Sequence, residues 1–313
     1  HKNPFALQFD DTVKPLLYEP NKEEFIRKRY DLNNRPNPLA GPLSKALGAI
    51  QKEINKAPET FIFELLQNAS DYPPKNNKVD VTFKLTNNNL LFAHSGAPFT
   101  YGNVHALCSV SESDKIEESN KIGFKGIGFK SVFKDCDKVF VNSGGFSFQF
   151  NKNEFLNQAI PFQIIPIWTE NNKFPEDVIN SKTFENSNVA IVLEPRSDDK
   201  INIYKEILAG LFSKNEILLF LPNVESIRVI DQIGKYNIIE KNLFQYWTGN
   251  YTIDVADDES KWLKEQIDSG ETVVPDKYRD IKNASIQFAT QRDREIISPL
   301  DNGFVYNYLP TKV

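Results

Sequence analysis

The chain has 313 residues, of which 40% are hydrophobic and 25% are charged, a balance typical of folded globular domains. Its 37 basic and 42 acidic residues give a formal net charge of −5, so the composition gives no sign of a nucleic-acid-binding surface. No apolar run approaches the roughly 20 residues that a membrane span needs. Two cysteines and three histidines without ligand-like spacing argue against a zinc site and a disulfide framework. These features predict a cytoplasmic protein with reduced thiols and no membrane contact.

Helices and a hairpin are predicted in the first part of the chain. The expected elements are an extended arm with a short helix (22–29), helices at 46–56 and 60–71, strands at 79–85 and 90–93, and a helix near 103–109. The first strand alternates apolar and polar residues, and the second is a continuous apolar run. Asn87-Asn88-Asn89 lies between them, which predicts a β-hairpin with a polar tip. A polar stretch at 111–120 and a Gly-rich segment at 122–133 that runs into a helix follow.

Strands dominate the remainder. They are predicted at 139–142, 146–150, 164–167, 190–193 and 227–231, with a helix at 201–212; beyond 235, strand-like segments surround a charged helix at 259–267. We therefore expect an N-terminal arm (1–44), an α+β domain (45–235) whose mixed sheet is covered by helices on one face, and the start of a second α/β domain (236–313). Cys136 lies between two aspartates and is expected to be more exposed than Cys108.

Three polar residues of the helix at 60–71 carry the first candidate site. Glu64, Asn68 and Asp71 are spaced i, i+4 and i+7 and therefore share one helix face. A carboxylate and an amide oxygen one turn apart can activate a water molecule and bind Mg²⁺, which prefers oxygen ligands. The alternative is an ordinary solvated polar face.

A Gly-rich segment carries the second candidate site. In Gly123-Phe124-Lys125-Gly126-Ile127-Gly128-Phe129, three glycines let backbone N–H groups approach an anion closely. The alternative is a tight structural turn. The segment is neither a P-loop nor a dinucleotide fingerprint.

The order of the two segments, with a hairpin and a Gly loop between them, resembles the ATPase superfamily of gyrase B, the ninety-kilodalton heat-shock chaperones, histidine kinases and MutL (GHKL). The helix resembles its E-x-x-x-N-x-x-D box, and 122–129 resembles its I-G-x-F-G-x-G-F box. Ser113-Asp114-Lys115 resembles the lid segment before that box. Ile122–Phe133 and 218–224 are most similar to the sacsin and NO VEIN-like branch.

His94 is a departure from the superfamily pattern. The chaperones bind the adenine amine through the Asp of D-x-G-x-G, whereas this chain has His94-Ser95-Gly96-Ala97-Pro98. A neutral histidine can accept from an amine if a neighbour sets its tautomer; the alternative is a loop histidine with internal partners. Ser187-Asn188 precedes the strand at 189–193 and stands at the position of the family's third box, from which either side chain could contact the base. The alternative is a simple turn.

The resemblance implies a Bergerat-type sandwich and an Mg²⁺-dependent domain that binds ATP and hydrolyses it slowly. Glu64 would activate water, Asn68 would hold Mg²⁺, the glycines would cradle the phosphates and Lys115 would add a lid charge, with Asp71, His94, Gly96 and Asn188 near the nucleotide. A nucleotide-gated interaction module without significant hydrolysis is the alternative. A partner protein or nucleic acid bound by regions outside this chain, or a homodimer, is compatible with the resemblance. The role in a larger protein (chaperone-like, DNA transaction or bacterial defence) is open.

Overall fold

A computed structural model describes residues 21–35, 40–54, 58–75, 78–109, 128–155, 160–180, 183, 187–211, 217–218, 221–240, 246–254, 283–293 and 296–297. The chain divides into two units, one formed by His1–Lys241 with Asn307–Val313 and one formed by Asn242–Tyr306. The candidate site lies in the larger unit. No helix among the described residues is long and apolar enough to cross a membrane.

Three helices among the described residues precede the sheet of the larger unit: α1 (Lys22–Asn33), α2 (Ala40–Ile54) and α3 (Thr60–Asp71). Asn21 caps α1, because its side-chain oxygen accepts hydrogen bonds from the backbone N–H groups of Glu23 (3.0 Å) and Glu24 (3.3 Å). Helix α3 coincides with its predicted range, and α1 runs about one turn past its predicted end. Helix α2 begins six residues before its predicted start and ends two residues before its predicted end. Helix α4 (Tyr101–Leu107) follows the hairpin.

An eight-stranded mixed sheet forms the centre of this unit as far as it is described. Its strands are β1 (Val79–Leu85), β2 (Leu90–His94), β3 (Cys136–Ser143), β4 (Phe146–Asn151), β5 (Ile167–Trp168), β6 (Val189–Pro195), β7 (Val224–Ile230) and β8 (Tyr236–Glu240). They lie in the order β5-β4-β3-β6-β2-β1-β7-β8. Strands β1 and β7 pair in parallel, and the remaining neighbours pair antiparallel.

One face of the sheet carries the larger apolar layer. The register places Phe83, Phe92, Ile191, Val141 and Phe148 side by side across five strands, and all five are buried. Helices cover this face: the Phe25 ring of α1 packs edge-on against Phe146, at 5.9 Å between ring centroids. Phenylalanines at alternate positions of a strand all point to one face of the sheet, where a covering helix can pack aromatic rings against them.

The opposite face is also partly covered, which refines the prediction of helices on one face. Leu91, Ala93 and Val192 of this face pack with Phe174 and with Val178 of a short helix, α5 (Glu176–Ile179). This helix is four residues long, so its apolar periodicity was too short to be seen in the sequence. Helix α6 (Asp198–Leu211) follows β6.

Three further predictions need correction. The segment predicted as a strand at 164–167 is a 3₁₀ helix (Phe162–Ile164) followed by the two-residue β5, because a continuous apolar run does not distinguish these states. Cys136 is fully buried like Cys108, since it lies on β3 with its sulfur 3.5 Å from the Tyr204 hydroxyl. Strand β8 pairs with β7 in the main sheet, so the larger unit runs past residue 235 to Lys241.

The smaller unit contains an antiparallel strand pair in its described part. Strands β9 (Tyr246–Asp254) and β10 (Asn283–Asp293) pair antiparallel over nine residue pairs, and β11 (Ile296–Ile297) adds to β10. Two of the strand-like segments that the sequence predicts beyond residue 235, at 251–255 and 284–290, overlap β9 and β10, with residue 255 outside the described residues. The charged helix predicted at 259–267 lies outside the described residues.

Candidate functional site

Helix α3 presents the three polar residues singled out by their spacing. The helix is continuous from Thr60 to Asp71, so Glu64, Asn68 and Asp71 share one face. Glu64 and Asp71 are buried, each 7% exposed, and Asn68 is half-buried. A face with two buried carboxylates is not an ordinary solvated helix surface, because acidic side chains are seldom buried without a partner.

The Glu64 carboxylate lies directly against Gly128, the last glycine of the Gly-rich segment. A Cβ atom added to Gly128 would stand 1.9 Å from Oε2 of Glu64, far inside any allowed contact. A Cβ atom at this position would therefore force the flexible Glu64 carboxylate to move, although the backbone of Gly128 is not left-handed. The two segments, 64 residues apart in the chain, meet in the folded protein.

The residues after Gly128 fix this contact to the sheet. They form a 3₁₀ helix (Gly128–Lys134), where the sequence predicted a helix. Phe129 is buried and its ring lies 6.5 Å from that of Phe150 on β4, measured between centroids. Lys130 is buried beside the same ring, and its ammonium donates hydrogen bonds to the carbonyls of Gln163 (2.8 Å) and Leu107. Burial lowers the pKa of Lys130 to about 8.

His94 ends β2 and is held by its own loop. The backbone N–H of Gly96 donates a hydrogen bond to Nδ1 of His94, at 3.1 Å. The side chain is only 5% exposed, and this burial lowers its pKa to about 3. The ring is therefore neutral at physiological pH, with Nδ1 acting as an acceptor.

The His94 loop is joined to the end of α3. The carbonyl of Tyr72, the residue after the helix, accepts a hydrogen bond from the N–H of Ala97 at 2.8 Å. A Cβ on Gly96 would lie 2.8 Å from this carbonyl oxygen and 2.6 Å from Nδ1 of His94, so the turn admits only glycine. Helix α3 thus contacts Gly128 through Glu64 and the His94 loop through its C-terminal end, about 10 Å further along its axis.

Asn188 holds the same loop from the other side. Its amide group donates to the carbonyls of Ser95 (3.0 Å) and Gly96 (3.1 Å), while its backbone N–H donates to the carbonyl of His94 (3.1 Å). Both amide hydrogens are engaged within the protein. The structure therefore assigns Asn188 a positioning role for the His94 loop, with only its Oδ1 atom left to contact a ligand.

Asn223 is a positioning residue that the sequence analysis did not select. Its side-chain N–H donates to the carbonyl of Ser70 in the last turn of α3 at 2.8 Å, and its own carbonyl accepts from the N–H of Val79 on β1 at 2.9 Å. It belongs to the 218–224 segment that carried part of the resemblance. A helix-capping asparagine far along the chain leaves no local signal in the sequence of the helix it caps.

The remaining candidates lie outside the described residues. These are Lys115 of the predicted lid and Gly123, Phe124, Lys125, Gly126 and Ile127 of the Gly-rich segment. The described residues contain no cluster of three or more histidine, cysteine or acidic side chains able to hold a metal ion by themselves.

The chain matches no protein-family model. It is similar to Protein NO VEIN of Arabidopsis thaliana, with 37% identity over 226 residues. Over that segment the chain is NO VEIN-like. The match confirms the resemblance to the NO VEIN side that residues 122–133 and 218–224 indicated. It covers 66% of this chain and 8% of the length of NO VEIN, so the two proteins are related over a small part of the plant protein.

Proposed function

We propose that the larger unit is an Mg²⁺-dependent ATP-binding domain of the GHKL type with a Bergerat-type sandwich, which hydrolyses ATP slowly and drives conformational change in a larger protein. The observation that carries this proposal is the contact between Glu64 and Gly128. A buried carboxylate set against the end of a glycine-rich segment puts a candidate base beside candidate phosphate-binding amides.

Glu64 is the candidate general base. A base must reach the attacking water, and its efficiency depends on position as much as on acidity. Helix α3 fixes this carboxylate through the packing of its apolar face, in which Phe61, Ile62 and Leu65 are buried. Glu64 would orient a water molecule and accept its proton during attack on the terminal phosphate. Phosphoryl transfer depends mostly on such positioning and on charge stabilisation.

Asn68 and the glycines are the candidate ligand-binding groups. The polar face of α3 carries side-chain oxygens that suit Mg²⁺ as ligands. This ion usually binds one or two protein oxygens together with phosphates and water. When bound, Mg²⁺ neutralises charge that develops on the phosphates. The amides near Gly128 would hold the phosphate oxygens, and the buried Phe129 and Lys130 keep that segment in place.

Three variants test the proposal. Glu64→Gln keeps the size of the side chain but removes the base, so ATP affinity measured by calorimetry should stay within about threefold while hydrolysis falls about 10²-fold or more. Asn68→Ala should abolish Mg²⁺-dependent ATP binding. Gly128→Ala should displace the Glu64 carboxylate and lower hydrolysis at least about tenfold.

Gly210→Ala is the matched control, because Gly210 lies within α6 and a Cβ there would meet no atom within 4 Å. It should leave binding and hydrolysis unchanged. Unaltered ATP affinity in Asn68→Ala would remove the metal assignment. Binding without hydrolysis in the parent protein would favour a nucleotide-gated interaction module instead of an enzyme.

A further inference from the structure

Gln67 carries a buried amide nitrogen that finds no protein acceptor in the part of the chain that the structure describes. Its side chain is 4% exposed, and its Nε2 atom is fully buried without a hydrogen-bond partner there. Leaving a buried amide donor unsatisfied costs free energy, and nearly all such groups in folded proteins bind a protein group or an ordered water molecule. Gln67 therefore needs a polar contact that the described side chains do not supply.

Gln67 lies on the polar side of helix α3. It follows Glu64 by three residues and precedes Asp71 by four, so both buried carboxylates are its neighbours on the helix surface. The opposite side of the helix carries the buried apolar residues Ile62, Leu65, Leu66 and Ala69. The unsatisfied amide donor thus belongs to the face that holds the candidate site and not to the core.

The direction of the Gln67 side chain favours Glu64 over Asp71 as its neighbour. Long side chains in an α-helix lean toward the N-terminus and over the preceding turn, which here contains Glu64. Nε2 makes no direct hydrogen bond to the carboxylate. Cβ atoms three residues apart on a helix are about 5 to 6 Å from each other, so one water molecule can connect the amide and the carboxylate.

The burial of Nε2 decides between a water molecule and the nucleotide as the group that it binds. An incoming nucleotide does not reach a fully buried atom, whereas a water molecule can be enclosed as the chain folds. Buried water molecules typically make about three hydrogen bonds to polar groups that lack protein partners. The carboxylate of Glu64 can accept on both oxygens, so it can bind this water in addition to its other contacts.

We propose that Gln67 is a positioning residue for the candidate base, because its Nε2–H group holds a buried water molecule that donates a hydrogen bond to the Glu64 carboxylate. The proposal rests on the hydrolysis proposed above and goes beyond it in naming a residue that acts through Glu64. A hydrogen bond donated to a carboxylate stabilises its charged form and fixes its orientation. A general base needs both, since it must be ionised and aimed at the attacking water, which is a different molecule.

Gln67→Met tests the proposal, because methionine keeps an unbranched side chain of similar size and removes the amide. We expect kcat for ATP hydrolysis to fall about tenfold, the usual scale for one hydrogen bond, while KM stays within about threefold. The acid limb of the profile of kcat against pH should move to higher pH by about one pH unit. The urea midpoint of unfolding should stay unchanged, since Nε2 has no protein partner to lose among the described residues.

Gln163→Met is the matched control. Gln163 is also buried, and its Oε1 atom also has no partner among the described residues, but it lies in the 3₁₀ helix Phe162–Ile164 and not on α3. The substitution leaves the backbone carbonyl that Lys130 binds in place, so kcat, KM and the pH profile should not change. If Gln67→Met lowers kcat no more than this control, or lowers it without moving the acid limb, Gln67 does not act through Glu64 and the proposal is wrong.

A crystal structure of the parent protein gives a readout that does not depend on activity. We expect an ordered water molecule within about 3.2 Å of both Nε2 of Gln67 and a carboxylate oxygen of Glu64, and we expect it to be lost in Gln67→Met. An amide nitrogen without this water, or bound to another protein group, would overturn the proposal. If the parent protein does not hydrolyse ATP, the proposed function fails; if it does, and Gln67→Met hydrolyses ATP equally well, only this inference fails.

Discussion

His94 couples the candidate site to pH through its burial. Its pKa is about 3 in the folded protein, against about 6.5 in an unfolded chain, because the charged ring is poorly solvated where it lies. Below pH 6.5, His94 therefore binds a proton in the unfolded chain but stays unprotonated in the folded protein. Stability from this residue is fully present above pH 6.5 and is lost as the pH falls toward 3.

The free energy of unfolding should accordingly fall by about 2 kcal/mol between pH 6.5 and 5 through this residue alone. Urea titrations at both pH values check this expectation. His94→Asn should lose that part of the pH dependence, whereas His105→Asn on α4, where the histidine is only half-buried, should retain it. A slope unchanged in His94→Asn would show that the ring is solvated and charged in the folded state.

Single residues were predictable from the sequence where their chemistry depends on spacing within one element. The common face of Glu64, Asn68 and Asp71 follows from helix geometry alone. The state of His94 does not, because its tautomer depends on the Gly96 N–H and its charge depends on burial between β1 and β6. The burial of Cys136 was mispredicted for a similar reason: two flanking aspartates are no obstacle on a strand, where neighbouring side chains point to opposite faces.

Helix α3 depends on Asn223 at its C-terminal end. Asn223→Ala removes the donor to the Ser70 carbonyl and should lower the free energy of unfolding by about 1 kcal/mol, the usual scale for a lost hydrogen bond. Hydrogen exchange in the last turn of α3 should accelerate as well. Asn237→Ala, at an exposed position of β8, is the control and should change neither measurement. Equal effects of the two substitutions would contradict the capping role.

At the scale of elements, the sequence predicted best where periodicity is long. Helix α3 and strand β1 were predicted to the residue, since apolar positions repeat clearly over twelve and seven residues. Short elements such as α5 and β5 carry too few repeats to be recognised. The contact between Glu64 and Gly128 was implied only by the family resemblance, because no local pattern relates residues 64 positions apart.

Strand β8 decides where the larger unit ends. Ile239 on β8 is buried and pairs with Ile227 on β7, so Ile239→Ala should lower the free energy of unfolding by about 2 kcal/mol or more. It should also accelerate hydrogen exchange in β7. Ile233→Ala is the control, because Ile233 is 86% exposed. If Ile239→Ala left β7 unaffected, β8 would belong to the second domain, as its sequence position first indicated.

The place of β6 in the sheet has a consequence for how the chain acquires its fold. Strand β6 lies between β3 and β2, and so joins two hairpins that are each complete much earlier in the chain. Strand β1 likewise pairs with β7 only after much more of the chain has been made, because the paired residues Val79 and Val224 are 145 residues apart. Pairings between such distant segments slow folding, and the waiting strand edges are open to association with other chains. During synthesis, the hairpin edges at β2 and β3 stay unpaired until residues 189–195 emerge, so we expect the nascent chain to be prone to association in this interval.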